Sequence, residues 1–241
     1  MISYLYHLII FNPLYNGLIF LFDSFPWMDA GFAVIIFTII VRLILFPLSK
    51  KAIVTQVLMK QIEPELNRIK TQTSDRQQQA LLQMDLYKKK GVNPFSSIFL
   101  LFLQLPIIYS LYYIFARSGL PIVNDSVLYS FIDVPTINMH FLGIFDIGVK
   151  SLFLSICAGV GQFLQLHYSF ASNPSNTKSD NPTMNATMDM MKNMKYIFPV
   201  MIFIISYRLP AVLAIYWTVS SLFTLGQELV VRRHIRKHQP L

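Results

Sequence analysis

Arg42 is the residue whose position demands a chemical explanation. It sits in the run 30–48 (AGFAVIIFTIIVRLILFPL), where the one other polar side chain is Thr38. A guanidinium facing lipid at such a place costs from about 2.5 to well over 10 kcal/mol, so it turns to protein or water instead. Snorkelling is the alternative: Arg42 is seven residues short of Ser49, ~10 Å at 1.5 Å per residue, and a long side chain recovers part of that depth. Other polar groups occupy comparable places. Gln162, Gln165 and Ser169 recur at steps of three and four, one face of a helix, beside Gly159 and Gly161, which permit close helix approach. Tyr216, Trp217, Thr218, Ser220 and Ser221 fall midway along another apolar run, and Gln104 and Ser110 in a third. Each can simply bond to a neighbouring helix for ~0.6 to 2 kcal/mol. No Asp or Glu lies in the first four apolar runs, and Glu228 is near the end of the fifth. An arginine among neutral polar groups implies water, hence a hydrated cavity.

The elements that must hold these residues are membrane helices. The chain of 241 residues is 54% hydrophobic and 13% charged, far from the roughly one-quarter charged content of a soluble domain. The reading is an all-α, polytopic membrane protein with spans at 30–49, 95–115, 151–170, 196–207 and 209–231, each near the ~20 residues that cross a bilayer except the short fourth. Pro106 and Pro199 inside the second and fourth require neighbours or water to satisfy freed backbone groups. Of the 20 Lys and Arg, nine lie in 50–93, three in 171–195 and four in 232–241, whereas Arg117, Lys150 and Arg208 lie on the opposite side. The positive-inside rule then orients the chain N-out and C-in. Residues 1–29 hold no Lys or Arg, unlike a secretory signal or an organellar transit peptide, which favours a bacterial plasma membrane. The segment 4–22 is long enough to span, but Asn12-Pro13 and Asn16-Gly17 interrupt it and its tyrosines suit the headgroup level. It reads as a helix on the outer surface, within an extracytoplasmic segment 1–29, with a sixth span as the rival.

Residues 50–93 predict a cytoplasmic helical hairpin. Val54, Val57, Leu58, Ile62, Leu66 and Ile69 keep helical spacing, with Pro64 a kink or restart. Ser74 with Gln77 reads as a capping box, Leu81, Met84 and Leu86 or Tyr87 as the second apolar face, and Gly91 as the stop after Lys88, Lys89 and Lys90. The hairpin is either self-paired or a mobile arm over an opening in the membrane core. Residues 171–195 read as a cytoplasmic loop with a flexible linker at 173–185. Met184, Met188, Met190, Met191 and Met194 follow it, better suited to adaptable packing than to copper(I). Cys157 is alone, which excludes a disulfide within the chain, and neither a metal nor a cofactor is expected. Enzyme signatures are missing: no Walker-type loop, no nucleophile elbow, no paired intramembrane carboxylates. The basic tail 232–241, with Arg232, Arg233, Arg236 and Lys237, suits anionic lipid or ribosomal RNA, or simply anchors the topology.

The order of parts resembles the YidC/Oxa-type membrane protein insertases, in the compact bacterial form. The likeness is carried by IIVRLILFPLSKK, then KKGVNPFSSIFLLFLQLPIIYSLYY, then FP followed by LPAVLAIYWTVSSLF, and runs from about residue 11 to residue 231. It implies a five-helix core over 30–231 around a hydrophilic groove, with Arg42 as the groove arginine, Gln165 a groove glutamine and Trp217 a groove aromatic. Gln104, Gln162 and Ser220 join them as candidates. Ser220-Ser221 stands where a Gly-Asn type pair is usual, and His167 where a Lys is, so the groove is less polar in its depths. The resemblance further implies nascent membrane proteins as substrates, with the ribosome, anionic lipids and the Sec translocon as candidate partners. An assembly chaperone without insertion activity is the alternative. A transporter or channel subunit would want intramembrane carboxylates and matching repeats, and neither is visible.

Overall fold

The computed structural model describes residues 2–72, 75–93, 96–117, 120–171 and 182–238. The described chain is helical almost throughout, in the order α1 (Ile2–Tyr6), a π-turn (His7–Phe11), α2 (Asn12–Ser24), α3 (Ala30–Ile44), α4 (Phe46–Gln61), α5 (Glu63–Gln72), α6 (Arg76–Lys89), α7 (Ser96–Tyr112), a π-turn (Tyr113–Arg117), α8 (Leu152–Ala171), α9 (Pro182–Arg208) and α10 (Ala211–His238). Between α7 and α8 lies one antiparallel hairpin, β1 (His140–Phe141) with β2 (Phe145–Asp146). The chain divides into two compact units, Met1–Ile44 with Leu105–Leu225, and Leu45–Gln104 with Gly226–Leu241.

The first unit holds α1, α2, α3, α8 and α9, the second half of α7 and the first half of α10. Its most extensive helix pairing is between α8 and α9, and glycine lets the two come close. A Cβ on Gly159 would sit 3.1 Å from the Phe203 Cβ and 3.3 Å from the Pro199 carbonyl oxygen. Gly161 likewise faces Thr218 of α10, at 3.7 Å. Gly31 on α3 has no room for a Cβ at all, because the Phe141 ring of the β-hairpin occupies that place. The segment between α7 and α8 also fixes the start of α10 through Ala211 N–H to Val149 O and Val212 N–H to Ile147 O.

The N-terminal segment departs from its expected interruption. The Asn12-Pro13 and Asn16-Gly17 pairs do not break the helix; Phe11 and Asn12 keep helical backbone angles into Pro13, and the π-turn His7–Phe11 directly before it is the kind of local adjustment that accommodates a proline within a helix. Asn16 is buried and bonded rather than helix-breaking: its amide donates to Asn12 O and Val127 O, and its carbonyl accepts Tyr129 N–H. Tyr4–Ser24 is long and apolar enough to cross a membrane, and α3 with α4 passes the same test only when the two are taken together.

The second unit contains the hairpin. Its core is Ile62, Leu66, Leu86 and Val92, with Leu58, Met59, Ile69 and Tyr87 packed against it; of the expected α4–α5 face, Leu58, Ile62, Leu66 and Ile69 belong to this cluster and Val54 and Val57 do not. The α6 face differs. Leu81 and Met84 are exposed and Leu86 alone is buried, because α6 meets α5 near its C-terminal end, where Lys90 also bridges Glu65 at 2.7 Å. The cap of α6 is Asp75, which accepts Gln77 N–H at 2.9 Å; the expected cap Ser74 lies outside the described residues. Gly91 adopts φ +64°, the left-handed stop expected of it. Helix α9 begins at Pro182, so the expected cytoplasmic loop 171–195 is helical over its second half, and the linker around 172–181 lies outside the described residues.

Candidate functional site

Arg42 was expected seven residues inside a continuous span, but it lies in the last turn of α3. Pro47 gives the reason. It has no N–H for the Leu43 carbonyl and its ring crowds that turn, so the helix closes at Ile44 and restarts at Phe46. A cation in the last turn gains about 0.3–1 kcal/mol from the free carbonyls of the helix end. The Arg42 Nε also donates to Ser220 Oγ of α10 at 3.3 Å, and Tyr216, one turn earlier on α10, is an electrostatic neighbour of the guanidinium.

The next residue of α10 continues the polar assembly in another direction. Ser221 Oγ donates to Gln162 Oε1 at 3.1 Å, and Gln162 Nε2 donates to Gln165 Oε1 at 2.8 Å. Consecutive residues on a helix point ~100° apart, so Ser220 and Ser221 link α10 to α3 and to α8 respectively. Trp217 is buried on the turn of α10 before them. Thr38 and Thr218 are satisfied within their own helices, donating to Val34 O at 2.6 Å and Ala214 O at 2.7 Å. They fill their own needs, whereas the Arg42–Ser220 and Ser221–Gln162 pairs join helices and Gln165 extends the second pair along α8.

The remaining candidates lie elsewhere. Gln104 belongs to the second unit and is half-buried there. Ser110 is a docking partner: it donates to Pro106 O, and Tyr6 O–H reaches it at 2.7 Å. Arg232 corrects the expectation of an exposed basic tail. Its side chain is buried, with Nε 3.8 Å from the Glu228 carboxylate one turn earlier, while Arg233 is exposed; the side chains of Arg236 and Lys237 lie outside the described residues. Among the methionines, Met194 is exposed and the side chains of Met184 to Met191 lie outside the described residues. Among the described residues no group of acidic, His or Cys side chains could hold a metal ion.

Sequence reasoning missed a second set of polar links. Gln227 Nε2 donates to Ser49 Oγ at 2.6 Å and to Phe46 O at 3.3 Å, tying the second half of α10 to the start of α4. Gln227 does lie one turn past Thr224 and two past Ser220, a periodicity visible in the sequence.

Comparison with known proteins gives a consistent answer. The 60Kd inner membrane protein family matches residues 21–238. The chain is 31% identical to "Membrane protein insertase YidC" of Oceanobacillus iheyensis over 84% of its length and 74% of the relative. It is 32% identical to the protein of the same name from Clostridium tetani, over 88% of this chain and 86% of that one. It is 30% identical to "Membrane protein insertase MisCA" of Bacillus subtilis, over 87% and 73%. With a helical fold, an arginine of an apolar helix bonded across to the last one, and a family match over most of its residues, the chain belongs to the 60Kd inner membrane protein family, the YidC/Oxa-type insertases.

Proposed function

We propose that this protein inserts and helps fold short-tailed membrane proteins through a hydrated groove bearing the Arg42 charge. The observation that carries the reading is the Arg42–Ser220 bond beside the Ser221–Gln162–Gln165 chain, polar groups from α3, α8 and α10 gathered within apolar helices. The groove is open to the cytosol and to lipid and closed on the outer side. A polar tail enters it, Arg42 attracts its acidic residues, and the apolar path the tail must cross is shortened. Partition of the substrate's apolar helix into lipid supplies free energy at ~25 cal/mol per Å². A potential negative inside adds ~2.3 kcal/mol per 100 mV for each acidic charge carried outward. No covalent bond changes, so the work is that of an insertase and not of an enzyme.

The topology proposed is five spans, N-out and C-in, in a bacterial plasma membrane, as the Lys and Arg distribution favours. Two contacts support an N-terminal helix lying at the outer surface rather than crossing. Tyr6 meets Ser110, seven residues before the end of the π-turn after α7, and Gly17 meets Phe37, seven residues past the start of α3. Both contacts therefore sit ~10 Å inside the outer ends, although Tyr6 and Gly17 are ~16 Å apart along their own helix. A crossing helix would place them at different depths. On the cytoplasmic side, Arg233 and the residues after it are the proposed contact for ribosomes or anionic lipid.

The test is a charge series at position 42, read by protease protection of substrate tails in cells. Arg42→Lys retains most insertion of acidic-tailed substrates, Arg42→Ala loses it, and Arg42→Glu is worse still. The defect shrinks when the substrate's acidic residues are neutralised. Equal insertion by the Arg and Ala forms would make Arg42 a structural residue and remove the electrostatic step.

A further inference from the structure

The first unit carries a second feature, a cleft open to its surroundings on the side of exposed His7, Arg117 and Asn124. A cavity of about 320 Å³ lies between the N-terminal helical segment, the π-turn after α7 and the outer segment, lined by His7, Phe11, Tyr15, Tyr113, Arg117 and the Asn124 region. That volume equals about ten waters and reaches the lower end of the range of small-molecule sites, about 300 Å³.

Its wall is a set of rings in mutual contact. Phe11 stacks on Tyr15 at 5.8 Å and meets Tyr113 edge-on at 5.4 Å, and His7 meets Phe11 edge-on at 5.1 Å. Tyr15 is fixed by accepting Asn124 N–H at 2.8 Å, which leaves its own proton to donate. Arg117 supplies the one cation of the lining, and no carboxylate pairs with it among the described residues. Asp125 acts electrostatically on Tyr15 from the outer segment and is the charge that opposes an anion there. Leu8 and Ile9, on the same helical segment as the lining residues, are exposed.

These properties select a ligand class. A guanidinium fork matches phosphate oxygens in a bidentate way, and amphipathic rings belong at the headgroup level of a bilayer. Basic pockets between membrane helices bind anionic headgroups. A quaternary ammonium headgroup would bring a second cation beside Arg117, so an anionic lipid is favoured over a choline lipid. We propose that this cavity holds the headgroup of an anionic phospholipid, with Arg117 on the phosphodiester and the acyl chains leaving past Leu8 and Ile9. That the cleft lies at headgroup level, and which leaflet supplies the lipid, rest on the topology proposed above; the lining and its cation do not.

The experiment is native mass spectrometry of the full chain in detergent, titrated with dioctanoyl phosphatidylglycerol, with dioctanoyl phosphatidylcholine and inorganic phosphate as the other arms. One saturable phosphatidylglycerol site is expected, at least tenfold weaker in Arg117→Gln and tighter in Asp125→Asn. Val127→Trp, which keeps Arg117 but fills the cavity from another lining residue, should abolish it. Inorganic phosphate at millimolar concentration should not compete. Equal affinity for phosphatidylcholine, or binding indifferent to both Arg117→Gln and Val127→Trp, would overturn the proposal, and competition by phosphate would reassign the cavity to a free anion. Because binding is read without any substrate, failure here is distinguishable from failure of the insertion mechanism.

Discussion

Replacing Asn16 with Leu tests how the N-terminal helix holds the segment between α7 and α8. Asn16 lies in an apolar helix, and Leu keeps its shape roughly while removing every hydrogen bond. Two of the bonds reach across the fold, Asn16 Nδ2 to Val127 O at 2.9 Å and Tyr129 N–H to Asn16 Oδ1 at 2.7 Å. An orphaned polar group costs ~1–3 kcal/mol when buried, and Val127 and Tyr129 are only partly covered, so the lower end applies to each. The sum is about 2 kcal/mol, roughly a thirtyfold rise in local opening. Hydrogen exchange measured by mass spectrometry in nanodiscs should show peptides covering Tyr129 exchanging about that much faster, with peptides of α8 unchanged. Tyr15 still holds Asn124, so the segment should loosen and not detach. Unchanged protection around Tyr129 would refute the claim that Asn16 carries this docking, and loss of protection everywhere would show that its role is in the global fold.

Other consequences are equally open to measurement. Gly159→Leu must push Phe203 or Pro199 aside, because its Cβ alone would stand 3.1 and 3.3 Å from them, and overpacking of this kind costs ~1–3 kcal/mol; the thermal unfolding midpoint in detergent should fall, more than for Gly226→Leu, where a Cβ meets nothing within 4 Å. Glu228→Gln leaves the buried Arg232 guanidinium without its counter-charge, a loss of ~3–5 kcal/mol when one partner of a buried pair is removed, visible as lower yield and midpoint. Neutralising Arg233, Arg236 and Lys237 together should weaken ribosome co-sedimentation, and steeply so with added salt, while sparing the midpoint that Glu228→Gln lowers.

Most of the helices could be read from apolar runs, and the hairpin from the spacing of Ile62, Leu66 and Ile69, because burial on one helical face leaves a period of three to four. What could not be read depends on contacts between distant parts. Asn16 looked like a helix breaker because its partners, Val127 and Tyr129, are more than a hundred residues away. The cap fell one residue later than expected because Asp75 and Ser74 are both capable N-caps and local sequence does not rank them. Leu81 and Met84 follow the expected period but face outward, since α6 is longer than the surface α5 offers it. At the site, an arginine in an apolar run was a clear signal, and Gln162 and Gln165 followed from their spacing. The Arg42–Ser220 bond was not deducible, because nothing local says which face of α10 meets α3. The Pro47 break beside Arg42 has a local signal, a proline five residues on, but a proline in an apolar run is equally compatible with a kinked, continuous span.

The central claim is that Arg42 and Gln165 line water continuous with the cytosol. It is tested by placing a single cysteine at 42 or 165 in a Cys157→Ala background, so that the native thiol does not contribute, and adding a membrane-impermeant maleimide to inverted membrane vesicles, then to right-side-out spheroplasts. Both positions are predicted to react from the cytoplasmic face and to resist the reagent from outside, at rates well above that of a lipid-facing control at exposed Ile40. Inertness at both positions, or reaction no faster than at 40, would contradict a hydrated groove and leave Arg42 a snorkelling residue.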